Sequence, residues 1–147
     1  MKFKIATPER IVLETEVDSV TLPTQMGEVT ILPNHVPLVA NLKPGEIKYK
    51  IAGKENFFAV SAGVIEVKNE NEVVILADTA EFGHEIDEKR AEEAREWAKK
   101  IMTEEHQSSE GFASAAAVLE RNLARLKVAR KHRSHTHRNL ESGTLNE

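Results

Sequence analysis

The spacing of apolar residues changes once along this chain, near Ile86, from a period of about two to a period of about 3.6. Apolar residues before this position stand in short runs that are typical of strands, and those after it recur three and four positions apart, as in packed helices. With 147 residues, the chain has room for one domain, or for one domain and an appendage. The sequence therefore predicts a β part over 1–85 and an α part from 86, and excludes a large multidomain enzyme.

Eight apolar runs predict strands in the first part. They cover 3–5, 11–13, 17–22, 29–32, 47–51, 57–60, 64–67 and 73–77. Gly, Pro and Asn separate the runs, as in the hairpins of a sandwich or barrel. The last run has no alternation, so we expect a strand that is covered on both faces.

Two helices are predicted after Ile86. Asp87 is the expected N-cap of the first helix. This helix carries an apolar stripe of Ala91, Ala94, Ala98, Ile101 and Met102, with Trp97. Residues 103–111 are expected to connect the two helices. The seam of the second helix, the apolar stripe by which it packs, is expected at Phe112, Ala116, Leu119, Leu123 and Leu126. Because alanines bury little area, we expect this hairpin to open easily. Residues 132–147 show no apolar period and predict a disordered tail.

The composition excludes several classes of protein. With no cysteine, the chain has no disulfides, no thiolate metal site and no cysteine nucleophile. Its first residues lack the apolar core of a signal peptide, and no stretch approaches the roughly 20 apolar residues of a membrane span. We expect a soluble cytoplasmic protein. There is also no glycine-rich phosphate loop, so nucleotide hydrolysis by this chain is not expected.

Charge is divided unevenly along the chain. Residues 1–85 carry 8 Lys+Arg against 13 Asp+Glu, whereas residues 86–147 carry 12 against 11. Between positions 121 and 138 there are seven basic residues and no acidic one. This basic segment fits a solvated helix face with cations at the C-terminal end of the helix dipole. It equally fits a contact with an acidic protein surface or a polyanion.

Two segments carry a family resemblance. The stretch 27–38, GEVTILPNHVPL, and the LKPG turn at 42–45 resemble the G-E-x-x-I-L-P-x-H-x-P-L segment and the L-x-P-G turn of the epsilon subunits of F-type ATP synthases. The stretch 86–91, IDEKRA, matches their I-D-x-x-R-A motif. The resemblance covers residues 1–131. One departure is Ala62-Gly63, where many members have two glycines.

The resemblance implies a β+α fold. It comprises an N-terminal ten-stranded β-sandwich of two five-stranded sheets over 1–85, which binds the central stalk and the c-ring, and a C-terminal antiparallel two-helix hairpin over 86–131, which is regulatory. It implies a non-catalytic rotor subunit that couples proton-driven c-ring rotation to ATP synthesis, while the hairpin extends along gamma and inhibits ATP hydrolysis. The implied partners are the gamma subunit, the c-ring, and the alpha and beta subunits. The implied location is peripheral, on the cytoplasmic side of the bacterial plasma membrane.

The resemblance also implies site residues. No cofactor is required, but ATP is an expected regulatory ligand, and the matching positions are Glu81, Asp87, Arg90, Arg121 and Arg125. Arg121 and Arg125 stand four apart, on one helical face, where two guanidinium groups suit phosphate oxygens. The alternative is that Asp87 only caps its helix while Arg90 makes a local ion pair. Trp97 stands where ATP-binding members can carry a further arginine, although Arg95 is nearby.

Two sets of contact residues complete the implied sites. The inhibitory contact with beta subunits is expected at Arg121, Arg125, Lys127, Arg130 and Lys131. The gamma or c-ring contact is expected at Leu32, Pro33, His35 and Pro37. His35 has no candidate nucleophile beside it, so a structural hydrogen bond is the simpler role for its imidazole.

Two other classes of function fit the sequence less well. A basic hairpin that binds nucleic acid would show steeply salt-dependent binding, but the acidic first part and the scarcity of aromatic residues count against it. A hydrolase built on a β-sandwich lacks a nucleophile and base. His132, His135 and His137 could bind a transition metal, but carboxylate ligands and an ordered scaffold are missing, so no metal site is predicted.

Overall fold

The structure, a computed structural model, describes the backbone of residues 1–143 and the side chains of residues 1–138. Ten strands come first: β1 (Lys2–Ala6), β2 (Ile11–Glu16), β3 (Ser19–Thr24), β4 (Gly27–Ile31), β5 (Leu38–Leu42), β6 (Gly45–Ile51), β7 (Lys54–Val60), β8 (Gly63–Lys68), β9 (Glu72–Ala77) and β10 (Ala80–Phe82). A 3-10 turn (Gly83–Glu85) leads into the helices α1 (Glu88–Glu104) and α2 (Glu110–Gly143). No helix in this described part is both long and apolar enough to cross a membrane.

The strands form two five-stranded sheets. One has the order β4-β3-β6-β7-β10 and the other the order β5-β8-β9-β1-β2, and a single residue pair, Thr24 with Leu42, joins them. Neighbouring strands are antiparallel, except that β1 runs parallel to β9. The ten-stranded sandwich followed by two helices is thereby confirmed.

Two strands, β5 and β10, were not among the eight predicted runs. β10 has only three residues, AEF, which is too short to show a period. β5 carries the apolar Val39 beside the polar Asn41 on its outer side, so its sequence does not alternate cleanly. Both strands were implied only by the family's strand count.

Aromatic rings cross the core between the two sheets. Phe3 of β1 lies 5.5 Å from the ring of Tyr49 on β6, Tyr49 lies 5.8 Å from Phe58 on β7, and Phe58 lies 4.2 Å from Phe82 on β10. Phe3 and Phe58 are fully buried. Because aromatic side chains bury large apolar areas, this row of rings is a main contributor to sandwich stability.

The run 73–77 is covered less completely than its lack of alternation suggested. Val74 is buried although its side chain points away from the core face, as predicted. Leu76, on the same side of β9, is 55% exposed, so the prediction is wrong for this residue. Nothing in the described chain covers this end of the outer sheet face.

The seam of α2 follows the prediction except at Leu123, which is 46% exposed. Leu126 is buried, and Phe112, Ala116 and Leu119 are half-buried. Ala115 and Asn122, next to predicted positions, are also buried. The physical reason is that α2 contacts two partners: Arg130 and Arg133 pair with α1, while Arg125 and Lys131 pair with strands of the sandwich. A helix that packs against two partners has two buried stripes, so its buried positions differ from those of a helix with a single apolar seam.

Helix α2 continues well past Lys131. Residues 132–143, part of the segment predicted to be a disordered tail, are helical in the structure. In this segment, imidazole rings contact the sandwich part: the ring of His132 lies 5.9 Å from that of His84, and the ring of His135 lies 5.6 Å from that of Phe57. Because histidine is not counted as apolar, these contacts give no apolar period in the sequence. The remaining tail residues, 144–147, lie outside the described residues.

Gly63 gives a test of the sandwich. A Cβ at this position would overlap the carbonyl oxygen of Leu76 and lie 2.8 Å from the Cα of Ala77, both backbone atoms of the paired strand β9. We expect Gly63→Ala to lower the free energy of unfolding by about 1–3 kcal/mol in urea denaturation, because the strands must separate locally.

Gly111→Ala is the matched control for this substitution. A Cβ at Gly111 would meet only the flexible side chain of Glu105, 3.2 Å away. Alanine also favours helix over glycine by about 1 kcal/mol. We therefore expect this variant to be no less stable than wild type. Equal stability of the Gly63 variant and wild type would contradict the close packing of β8 against β9.

Candidate functional site

Arg125 fastens α2 to the last strand of the sandwich. Its Nε and Nη2 donate to Oε2 and Oε1 of Glu81 on β10, at 2.7 and 3.2 Å. Its Nη1 donates to Oδ1 of Asn122 at 3.0 Å, and Asn122 is itself oriented by donating to the carbonyl of Val118. Such a two-pronged pairing fixes geometry as well as charge. Arg125 and Glu81, two of the predicted ATP-binding residues, therefore hold each other in this conformation.

Lys131 makes the second contact between α2 and the sandwich. Its Nζ donates to Oε1 of Glu46 on β6 at 2.6 Å and lies 4.5 Å from the ring centre of Phe57. The Glu46 side chain is only 10% exposed, and its other oxygen, Oε2, is buried without a hydrogen-bond partner. The charge of this buried carboxylate thus depends on Lys131 for its compensation.

Two further pairs join α2 to α1. Arg133 Nη1 donates to Glu88 at 3.1 Å, and Arg130 lies 3.7 Å from Glu92. Both pairs are largely exposed, so each contributes little to stability. Lys127 is exposed and has no ion pair within residues 1–138. The basic segment of α2 is therefore mostly neutralised by acidic residues of α1 and the sandwich.

The I-D-x-x-R-A segment is only partly engaged. Oδ1 of Asp87 accepts from the backbone N–H of Arg90 at 3.1 Å, which makes Asp87 the N-cap of α1. The Arg90 side chain is exposed and makes no ion pair in the described part of the chain, so the alternative of a local ion pair is not realised. No hydrogen bond joins Asp87 or Arg90 to the arginines of α2 within residues 1–138.

Among the described side chains, two guanidinium groups have a buried nitrogen without a hydrogen-bond partner. They are Nε of Arg121 on α2 and Nε of Arg95 on α1. A buried donor without an acceptor is uncommon in folded proteins. Arg121 is one of the predicted ATP-binding residues. Arg95 stands two positions before Trp97, which is 53% exposed, so the predicted place of Trp97 in the apolar stripe of α1 is wrong.

The loop between β4 and β5 presents apolar groups outward. Leu32, Pro33 and Pro37 are exposed. His35 is half-buried, and its Nδ1 lies 2.7 Å from the carbonyl oxygen of Val36. Asn34 has a φ of 64° and its N–H donates to Oδ1 of Asn71 at 2.8 Å, which ties the loop to the β8–β9 turn.

A second exposed apolar surface was missed by sequence reasoning. Val39 of β5, Val64 of β8 and Leu76 of β9 lie exposed on the outer face of one sheet, and cross-strand pairing places Val64 directly beside Leu76. We call these three residues the outer apolar face. Its sequence signal was the loss of alternation in the pairs Leu38-Val39, Val64-Ile65 and Ile75-Leu76.

Burial raises the pKa of the Tyr49 hydroxyl above its usual value, so this group stays neutral near pH 7. Within the described residues, no three His, Asp or Glu side chains gather closely enough to hold a metal ion.

Comparison with protein families matches both parts of the chain. Residues 1–83 match the ATP synthase delta/epsilon chain, beta-sandwich domain, and residues 84–130 match the ATP synthase delta/epsilon chain, long alpha-helix domain. An ATP synthase epsilon chain of Herpetosiphon aurantiacus is 46% identical over 134 residues, which cover 91% of this chain and 97% of the relative. One from Dehalococcoides mccartyi is 44% identical over 135 residues, covering 92% and 96%.

Solved structures give the same comparison. A chain in the cryo-EM structure of the Euglena gracilis mitochondrial ATP synthase, OSCP/F1/c-ring, superposes with a TM-score of 0.73 at 25% identity, covering 86% of this chain and 79% of that one. A chain in the central stalk and c-ring structure of the Tetrahymena thermophila enzyme superposes with a TM-score of 0.53 at 15% identity, which supports the fold alone.

The contact between Lys131 and Glu46 is testable. We expect Lys131→Ala to lower the free energy of unfolding by about 1–3 kcal/mol, because it leaves the Glu46 carboxylate buried and unpaired. This is less than the full cost of breaking a buried pair, since Lys131 itself is 37% exposed.

Arg130→Ala, which removes an exposed pair on the same helix, is the control and should cost no more than about 1 kcal/mol. Urea denaturation of the full chain measures both variants. An equal loss in the two variants would show that burial of Glu46 does not matter.

Proposed function

Because the chain belongs to the delta/epsilon chain family of ATP synthase, we propose that it works as the epsilon subunit of the central stalk of an F-type enzyme. It is a non-catalytic subunit of that complex. The observation that carries this proposal is that the two family domains match consecutive segments over residues 1–130, in the order sandwich then helices. We propose that it turns with the rotor and helps to couple proton-driven rotation of the c-ring to ATP synthesis.

The sandwich is the proposed binding part. We assign the contact with the gamma subunit and the c-ring to the loop residues Leu32, Pro33, His35 and Pro37, together with the outer apolar face. Apolar groups held outward on a rigid sheet or on a tethered loop are typical of an interaction surface. This contact would place the subunit peripherally on the cytoplasmic side of the bacterial plasma membrane, through the complex.

The hairpin is the proposed regulator of ATP hydrolysis. Its candidate contacts with acidic segments of the catalytic beta subunits are Arg121, Arg125, Lys127, Arg130 and Lys131. Three of them, Arg125, Arg130 and Lys131, are paired within this chain. They become available to an acidic partner only when α2 leaves the sandwich and α1. Inhibition would therefore require an open hairpin, and closing the hairpin would release the catalytic head.

ATP is the proposed ligand of the closed hairpin. The support is the pair of buried guanidinium nitrogens at Arg95 and Arg121 that lack partners, together with the exposed, unpaired Arg90. Phosphate oxygens are suitable acceptors for these donors. Glu81 and Arg125 would act by holding α2 in position, and Asp87 by capping α1. ATP would then shift the equilibrium towards the non-inhibitory state, to the extent that it binds the closed hairpin more tightly than the open one.

Nucleic-acid binding is the less favoured function. The basic residues that would contact a phosphate backbone are largely paired with Glu46, Glu81, Glu88 and Glu92 in the closed hairpin. A binding surface for nucleic acid needs a standing excess of positive charge.

The inhibitory role predicts a deletion phenotype. We expect the full chain to suppress ATP hydrolysis by the matching catalytic complex several-fold, and a chain ending at residue 85 to assemble without suppressing it. Steady-state hydrolysis by the two reconstituted complexes measures this, with gel filtration as the control for assembly. Identical hydrolysis rates with the full and the shortened chain would refute the inhibitory role.

The ATP site predicts a difference in affinity. We expect calorimetric titration to show ATP binding to wild type and about 10- to 100-fold weaker binding to Arg121→Ala and Arg90→Ala, since a hydrogen bond to a charged group contributes about 1.5–3 kcal/mol. Lys127→Ala, which removes an exposed cation from the same helix, should bind like wild type. The proposal fails if ATP binds equally to all four proteins or to none.

A further inference from the structure

Two cavities open side by side where the end of α2 meets the sandwich. They measure 480 and 340 Å³ and share the lining residues Glu55, Phe57 and His135. We call them together the junction groove. One wall is built from β6, β7 and the turn after β10, and the other wall is α2 from Val128 onward. Any molecule in the groove would touch both parts of the protein.

In the described part of the chain, the groove is lined by more cations than carboxylates, and two of the cations are unpaired. Among its described lining residues the Lys and Arg side chains are Lys48, Lys54, Arg130, Lys131 and Arg138, and the one carboxylate is Glu55. Arg130 pairs with Glu92 and Lys131 with Glu46, which both lie outside the lining. Glu55 already lies 3.9 Å from Lys48 and 3.7 Å from Lys50, so its charge is offset. Lys54 and Arg138 make no ion pair within the described residues. A concave surface of this charge concentrates anions.

The groove also offers hydrogen-bonding side chains and aromatic rings. Three imidazoles, of His84, His132 and His135, line it together with Asn56 and Thr136. His84 stacks on Phe82 with ring centres 5.3 Å apart. The helix approaches the turn closely, since a Cβ at Gly83 would lie 2.6 Å from Cβ of His132. Glycine at this position allows the imidazole to reach the groove.

Much of the helical wall lies beyond the part of the chain that matches the family. The match to the long alpha-helix domain ends at residue 130, while Lys131, His132, His135, Thr136 and Arg138 follow it. The groove is therefore a property of the extended α2. It is also distinct from the proposed ATP site, because neither Arg90, Arg95 nor Arg121 lines it.

We propose that the junction groove binds a small phosphate-bearing polyanion, of the size of an oligophosphate. Lys54 and Arg138 bind its phosphate oxygens from opposite walls, and ring nitrogens of His84 and His132 donate further hydrogen bonds, whereas Nδ1 of His135 is already hydrogen-bonded to the carbonyl of Lys131. Because the ligand contacts α2 and the sandwich together, it binds the closed hairpin and not the open one. Binding therefore stabilises the closed state by mass action.

Calorimetric titration of the full chain with inorganic tripolyphosphate tests the groove. We expect binding to wild type, and at least tenfold weaker binding to the double variant Lys54→Glu, Arg138→Glu, whose substitutions reverse one exposed charge on each wall. Lys2→Glu, Lys89→Glu is the matched control, because it makes the same change of net charge at exposed positions outside the groove and should bind within about twofold of wild type. Circular dichroism melting without ligand confirms that all variants fold.

A second measurement separates this groove from the ATP site. Arg121→Ala should retain tripolyphosphate binding, and tripolyphosphate should raise the melting temperature of wild type but not of the Lys54, Arg138 variant. ATP titrated in the same series reports whether a nucleoside changes the affinity for the same groove variant. Absence of tripolyphosphate binding to wild type, or equal binding to the groove variant, overturns the proposal, as does a loss confined to Arg121→Ala.

Discussion

The conformation of this protein depends on how α2 is held against the edge formed by β6, β7 and β10. The apolar part of that contact is small: the buried cluster consists of Ala59, Ile86, Val128 and Ala129, with Phe57 beside it. Side chains of this size remove little area from water, so polar contacts determine where α2 lies on the sandwich. The ion pairs Arg125–Glu81 and Lys131–Glu46 are these contacts, and they fix two positions along the helix. The hairpin is thus positioned by charge pairing over a thin apolar layer.

These ion pairs also bear on the regulation that we propose. In the proposed inhibitory state, the cations that hold the hairpin closed would pair with carboxylates of another subunit. One helix cannot pair with both sets of carboxylates at once, so the closed hairpin and the proposed inhibitory contact would exclude each other. Because each pair contributes modestly, the balance between the states lies within reach of a bound ligand or partner.

The sequence predicted the parts of this structure that follow from periodicity. Eight strands, both helices and the Asp87 cap could be located because alternation and three-to-four spacing have a direct geometric meaning. The exposure of Leu123 could not be predicted, since its position in the three-to-four spacing is the same whether one or two partners cover the helix. The helix beyond Lys131 could not be predicted for a similar reason. His132 and His135 pack as aromatic rings, yet they count as polar in any hydropathy pattern. The pairing of Glu46 with Lys131 joins residues 85 positions apart, and no local pattern reports such a contact.

The unpartnered oxygen of Glu46 makes the placement of α2 along the sandwich specific. Among the described residues, Lys131 is the one cation paired with this carboxylate, and Oε2 of Glu46 is buried without a hydrogen-bond partner. A shift of α2 by one turn would take Lys131 away and leave a buried charge uncompensated, which costs more than the loss of an exposed ion pair. The Glu46–Lys131 pair therefore specifies the register of the helix against β6, which the small apolar side chains of this contact specify only weakly.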